Sequence, residues 1–409
     1  MDMKASCDTN AACPVRAIRN DSKSARAAAE NLAAAPDSRL IQGFGQIWQI
    51  LTRSPVVQSG VDTAPVERNN PATTTIFFLE GEAHLRRRAA IQGFFSPQAI
   101  AKRHLRVMQQ NTEMLLAEFR QKGQVQLDEV SLRLTAAVAA EIIGLTNSDI
   151  RGMAKRIAGA FDGAMLASRG GLRKLAAPLV SALNALQVYY FDVRPAIAAR
   201  RVQRQEDVIS RLLDEGRSAQ EILVECITFG LAGMTTTREF IVMAAWHLLE
   251  SEELRQRFLD GDDADRTAIL REILRLEPMA SMIYRRTTDV VTGVTPESIP
   301  AGTRLTLDIR AANLDEAQVG DCPLTLDPDR ARRRKVNDTY LSFGAGEHLC
   351  PGRNVALSEA SVFLEQLLRV PGVRLVRAPD IRFLPPLLGT YELRNCVIAC
   401  DRLESGETT

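Results

Sequence analysis

The stretch Phe343-Gly344-Ala345-Gly346-Glu347-His348-Leu349-Cys350-Pro351-Gly352 decides the reading of this chain. Its first two glycines allow backbone angles closed to other residues, so the loop can fold tightly. The cysteine stands at the start of a helical pattern over Pro351–Leu368. Helix-end N–H groups and the helix dipole favour a thiolate there. Gly352 removes a side chain where backbone must pass a flat ligand. The plain alternative is a Gly-rich turn that leads a buried cysteine into a helix.

Working outward, most of the 409 residues read as helix. Apolar side chains recur at helical spacing over 101–120 and 129–146, and 178–215 reads as long helices broken near Pro195. The segment 219–250 has no proline and is apolar on nearly all sides through Ile227, Phe229, Leu231, Ala232 and Met234, which predicts a long buried helix. A helix from Asp265 to Glu277 ends at Pro278. Thr287–Val294 and Arg304–Ile309 read as short strands parted by the turn Ile299-Pro300-Ala301-Gly302. Residues 320–345 read as a long irregular loop, and β-like pieces close the chain. The fold class is mainly α with small β-sheets (α+β). Residues 1–35 read as a flexible arm and 36–409 as a single domain, a length that large single-domain enzymes reach.

Composition excludes several classes. A net charge of +1 gives no general pull toward nucleic acid or anionic membrane. No apolar run approaches a membrane span, and the start lacks the apolar core of a secretory signal, so a cytoplasmic enzyme is expected. Seven cysteines without CxxC spacing predict mostly buried free thiols rather than a disulfide framework or zinc ribbon.

The cysteine stretch resembles the haem-binding signature of the cytochrome P450 family, in which Phe, Gly, Gly, His or Arg, Cys and Gly occupy these places. Matching Phe343, Gly344, Gly346, Cys350 and Gly352 by chance is on the order of one in several million start positions. Further segments agree in chain order. Glu272 and Arg275, one helical turn apart, look like the family's ExxR pair, and Arg330 matches the arginine that joins it. His84 and Arg88 resemble the HxxxR helix that holds haem propionates. His348 and one of Arg285 or Arg286, with Arg286 preferred, resemble the remaining propionate ligands. Ile299-Pro300-Ala301-Gly302-Thr303 and Ala312-Asn313-Leu314-Asp315 match smaller family segments.

Ala232-Gly233-Met234-Thr235-Thr236-Thr237 looks like the oxygen-activation segment, with Thr236 at the proton-delivering threonine. Thr235 stands where the family carries an acid. Glu239, one turn beyond, is a candidate replacement, or equally an ion-pair partner of Arg238. By position, Phe77, Phe78, Phe229, Met279, Ala280, Met282, Ile283, Leu388 and Thr390 are candidate linings of a substrate pocket.

The resemblance implies the cytochrome P450 fold, haem b (iron protoporphyrin IX) ligated through the Cys350 thiolate, and a monooxygenase that inserts one atom of O2 into a small lipophilic substrate such as a terpenoid, polyketide or fatty-acid derivative. Thiolate ligation pushes electron density toward O–O cleavage. The chain has no flavin or dinucleotide fingerprint and no iron–sulfur spacing, so NAD(P)H would act only indirectly, through a separate ferredoxin and reductase. The run Arg330, Arg332, Arg333, Arg334, Lys335 is a candidate basic docking face for an acidic ferredoxin, or a solvated loop. A monomer is expected. The missing acid keeps open a peroxygenase or non-redox haem-thiolate enzyme, and a non-catalytic haem-binding sensor is the further alternative.

Overall fold

The computed structural model describes residues 20–25, 38–59, 74–159, 172–336, 339–384 and 389–402. In chain order its helices are α1 (Phe44–Arg53), α2 (Gly81–Gln92), α3 (Leu105–Lys122), α4 (Leu127–Ile143), α5 (Ile150–Gly159), α6 (Leu172–Val188), α7 (Arg194–Val202), α8 (Val208–Asp214), α9 (Ala219–Glu250), α10 (Glu252–Asp260) and α11 (Asp263–Leu276). After these come α12 (Ile309–Asn313), α13 (Glu316–Val319), α14 (Arg330–Arg334) and α15 (Arg353–Leu368).

The long helix α9 is the centre of the body. Ser218 and Glu221 form a capping box at its start, which satisfies two otherwise orphaned N–H groups. Its core face packs along α4, where Ile142, Leu134 and Val138 are buried. The helices α15 and α5 close on its other sides. At Gly230 a Cβ would come within 2.9 Å of Ile157 in α5, so glycine permits that close approach. The helix α11 begins at Asp262, whose carboxylate accepts the Asp265 N–H, and stops before Pro278.

Three sheets lie beside the helices. The largest has strand order β1-β5-β4-β2, from β1 (Arg39–Ile41), β2 (Val56–Gln58), β4 (Met282–Thr287) and β5 (Arg304–Asp308). β1 pairs parallel with β5, and the other pairs are antiparallel. A second sheet joins β3 (Gln124–Gln126), β9 (Val397–Ala399) and β6 (Arg374–Arg377), and β7 (Asp380–Phe383) pairs with β8 (Tyr391–Arg394).

The structure departs from the sequence reading at four places. The expected strand Thr287–Val294 lies earlier, at Met282–Thr287, because that stretch pairs with both Val56–Gln58 and β5; beyond it only a bridge between Val291 and Ile299 remains. The expected break near Pro195 is a π-helical turn at Tyr189–Val193, and Pro195 sits in the first turn of α7, where its missing N–H costs nothing. Cys322 is disulfide-bonded, an exception to the expected mostly free thiols, while Cys226, Cys350, Cys396 and Cys400 are free. Residues 20–25, expected within a flexible arm, are docked. The Asp21 N–H donates to Leu324 O at 2.9 Å, its carboxylate accepts the Leu326 N–H, and Ser24 is buried with its N–H and hydroxyl on Glu277.

Candidate cofactor site and catalytic helix

The cysteine loop is built as its glycines predict. Gly344 and Gly346 have φ of +75° and +70°. A Cβ on Gly346 would lie 2.1 Å from the Leu51 carbonyl oxygen, so only glycine lets the loop press against α1. The Cys350 N–H closes the loop on Phe343 O at 2.9 Å, and α15 starts three residues later. Burial pushes the Cys350 thiol up; N–H groups of Gly352 and Arg353 and the guanidinium of Arg88 oppose that rise. Arg88 in turn donates to the Leu349 carbonyl.

Beside this loop stands a cluster of cationic and imidazole groups. The rings of His84 and His348 lie 4.2 Å apart. His84 is buried with its Nδ1 unpartnered, and burial, together with His348 and Arg88, brings its pKa down to about 4. His348 Nε2 is 3.2 Å from Glu80, which also accepts the Gln58 N–H at 2.7 Å. Arg285 is buried, bonded to the Gln58 side chain, and burial brings it down to about 10 against the pull of Glu80. A cavity of about 300 Å3 is lined by Glu80, Arg285 and His348 together. Arg286 is not in this group: its guanidinium donates to Gly302 O at 3.1 Å. Adjacent strand residues face opposite sides, and the pairing of Gln58 with Arg285 sets which one turns inward.

Glu272, Arg275 and Arg330 are buried and form one network. Arg275 grips Glu272 through Nε and Nη2 at 2.9 and 2.7 Å, and Arg330 Nε meets the same carboxylate at 3.1 Å. The remaining guanidinium N–H groups reach the carbonyls of Asn313, Val319, Asp321, Cys322, Pro323 and Thr325. A buried charge cluster gives little net stability, but its fixed forks specify one path for the loop that leads to the cysteine.

On α9, Val224, Thr228, Ala232 and Thr236 stand four apart on one face. That face is the open one in an otherwise buried helix, and Ala232 is exposed at its middle. The hydroxyls of Thr235 and Thr236 donate to the carbonyls of Leu231 and Ala232, each at 2.7 Å. Gly233 has only Ala139 within reach of a Cβ, at 3.9 Å.

The sequence profile of cytochrome P450 matches residues 266–376. Cytochrome P450 72A397 of Kalopanax septemlobus is 31% identical over 175 residues, 38% of this chain and 34% of that relative, so the chain spans about a third of that relative's length. The erythromycin C-12 hydroxylase of Saccharopolyspora erythraea is 27% identical over 358 residues, 84% of this chain and 86% of the relative. The crystal structure of CalO2 superposes with a TM-score of 0.76 at 21% identity, covering 90% of this chain and 91% of that one. In sequence the chain is similar to the cytochrome P450 family. It has the P450 fold.

The residues of this site fit a haem. A buried His84 with an orphaned nitrogen, beside Arg88, Arg285 and His348, is a donor set for an anionic edge, and an anion there would offset the repulsion by His348 and Arg88 that adds to the effect of burial on His84. The cysteine carries helix N–H groups suited to a thiolate once a metal displaces its proton.

Other expected residues are placed elsewhere. Glu239 faces away from the open face of α9: its Oε1 accepts from Arg238 and Arg394 and its Oε2 from the Leu393 N–H, tying α9 to β8. It makes the ion pair with Arg238 that the sequence offered as its other role. Phe229 is buried with its ring 6.0 Å from Phe95, and Met279 and Met282 are also core side chains. Ala280 bridges Thr390, both part-exposed beside Ile283 on β4. Phe77 is exposed and packs edge-on to Phe78 at 5.0 Å. Leu388 lies outside the described residues. In the basic run, Arg332 pairs with Asp329 and Arg333 with Asp327, so part of its charge is spent internally.

Sequence reasoning missed Glu80 and Gln58, and named Asn313 within a matching segment without giving it a role. Asn313 holds Ser342 at 2.9 Å and the Leu341 N–H at 3.0 Å, which ties the end of α11 to the entry of the cysteine loop. The signal was present in the segment Ala312-Asn313-Leu314-Asp315, whose polar residue has no place on an apolar helix face unless it is satisfied inside.

Proposed function

We propose that this chain is a cytochrome P450, a haem-thiolate monooxygenase that binds haem b through Cys350 and inserts one atom of O2 into a small lipophilic substrate, with electrons from a separate ferredoxin and reductase. The observation that carries the proposal is Cys350 held by a two-glycine loop at the start of α15, with Arg88 bonded to the residue before it. Haem, when bound, supplies the oxygen chemistry. The chain supplies the rest. Gly352 and Arg353 N–H groups would hold the thiolate. His84, Arg88, Arg285 and His348 would hold the propionates, with Glu80 orienting the His348 ring. Ala232 and Gly233 leave room on α9, and Thr236 Oγ1 can accept a hydrogen bond from water while it donates to Ala232 O. The relatives named for erythromycin hydroxylation support a lipophilic secondary metabolite as substrate. The half-neutralised basic run leaves Arg334 and Lys335, with exposed Arg332, as the groups for ferredoxin docking.

The test is the absorption difference spectrum of the reduced protein with and without carbon monoxide. A strongly red-shifted Soret band that disappears in Cys350→Ala is expected. A band typical of imidazole- or thiol-bound haem would overturn the reading. One observation favours a second reading: Thr235 replaces the acid, and Glu239 is fully engaged. If turnover proceeds with peroxide but not with ferredoxin and O2, and Thr235→Asp raises product per electron in the latter system, the chain is a peroxygenase by this substitution.

A further inference from the structure

The helix α6 carries an apolar stripe on its outer face. Leu175, Leu179, Leu183, Leu186 and, in the turn that follows, Tyr190 are 78%, 64%, 50%, 49% and 53% exposed. Their spacing of four, four, three and four keeps them on one side of the helix. Exposed Ala176, Pro178 and Ala182 flank them, so little bulk holds another helix away. From Leu175 to Phe191 the chain has no Lys, Arg, Asp or Glu. The stripe presents about 600 Å2 of apolar surface at ordinary side-chain areas, at the top of the range for a soluble monomer.

We propose that this stripe is the interface of a homodimer, in which α6 of one copy packs antiparallel on α6 of the other about a two-fold axis near Leu183. Three observations select a second copy. The area doubles to about 1,200 Å2 in a pair, which reaches the lower bound of stable interfaces. The stripe runs with leucines on both sides of Leu183, so a two-fold places Leu179 against Leu186 and meets the self-complementarity that such an interface requires. Antiparallel helices also set opposite dipole ends side by side. A membrane surface fits less well, because helices that lie on lipid carry basic residues along the polar margin, and this one has only Arg173 and Lys174, both in its first turn.

The test is sedimentation velocity of the full-length, haem-loaded protein from about 1 to 100 µM. The expected result is a mass that rises from 45.0 kDa toward twice that value, with the double variant Leu179→Glu/Leu183→Glu staying at one chain and its dissociation constant weakened at least a hundredfold. Val290→Glu, an equally exposed position elsewhere, should leave association unchanged. An unaltered far-ultraviolet circular dichroism spectrum shows the double variant folded. If it is misfolded, Leu183→Cys decides instead, because a residue on the axis forms a disulfide-linked dimer on mild oxidation. Wild-type protein monomeric at 100 µM overturns the proposal. So does a dimer that survives the double variant, or a monomer whose binding to phosphatidylglycerol vesicles that variant abolishes.

Discussion

Glu359 shows how much one side chain can control. It is buried on α15, its Oε1 lacks a partner, and burial alone pushes its carboxyl up to about 8. In the unfolded chain the same group ionises near its ordinary value of 4.5. Between those values the folded state holds a proton that the unfolded state has lost, so stability falls as pH rises, by about 1.4 kcal/mol per pH unit. Glu359→Gln removes that slope. Thermal melts of wild type and variant should coincide near pH 4.5 and diverge up to pH 8, with the variant more stable at the upper end. Parallel curves would show that the carboxyl ionises inside the fold. Arg285 and Arg286 make the complementary point. Both are arginines on one strand, and sequence alone favoured the second; the partner strand sets the facing, and Arg285 joins His348 and Glu80.

At the scale of elements, the loop before the cysteine is held by charge rather than by apolar burial. Six backbone carbonyls between Asn313 and Thr325 rest on the N–H groups of Arg275 and Arg330, and one carboxylate, Glu272, balances both. Glu272→Gln leaves two buried guanidinium groups without a counter-charge and should cost about 3–5 kcal/mol. Denaturant unfolding of the haem-free variant checks the cost, and loss of haem uptake should accompany it. The long helix, the ExxR helix and the cysteine loop were legible because each has a local cause: unbroken apolar sequence, a capping aspartate with a following proline, paired glycines. The position of β4 was not, because Met282–Thr287 becomes a strand only when Val56–Gln58 and Arg304–Asp308 flank it. Glu80 and Gln58 were not legible either; their roles arise where β2 and the residue before α2 meet His348.

Across the whole molecule, the start of the chain binds its distant parts together. Lys23 pairs with Glu250 and lies 5.1 Å from the Trp246 ring, Ser24 covers buried Glu277, and Asp21 clasps Leu324 and Leu326 beside the carbonyls that serve Arg275. The double variant Asp21→Ala/Ser24→Ala should cost about 2–3 kcal/mol, since bonds to charged groups are lost and Glu277 stays buried. Limited proteolysis should then cut faster within 320–327. Equal cutting rates in wild type and variant would show that the segment contributes nothing to that loop.

The parallel pairing of β1 with β5 bears on how the protein is made. Strands β1 and β2, the two edges of the largest sheet, leave the ribosome long before their partners β5 and β4 exist, and at roughly 5–20 residues per second the wait is about 12–50 s. For that interval the first strands have exposed edges and no sheet, and the Leu51 carbonyl has no cysteine loop to receive. Nascent chains stalled short of Asp308 should therefore engage holdase chaperones, and release past the last strand should end that engagement.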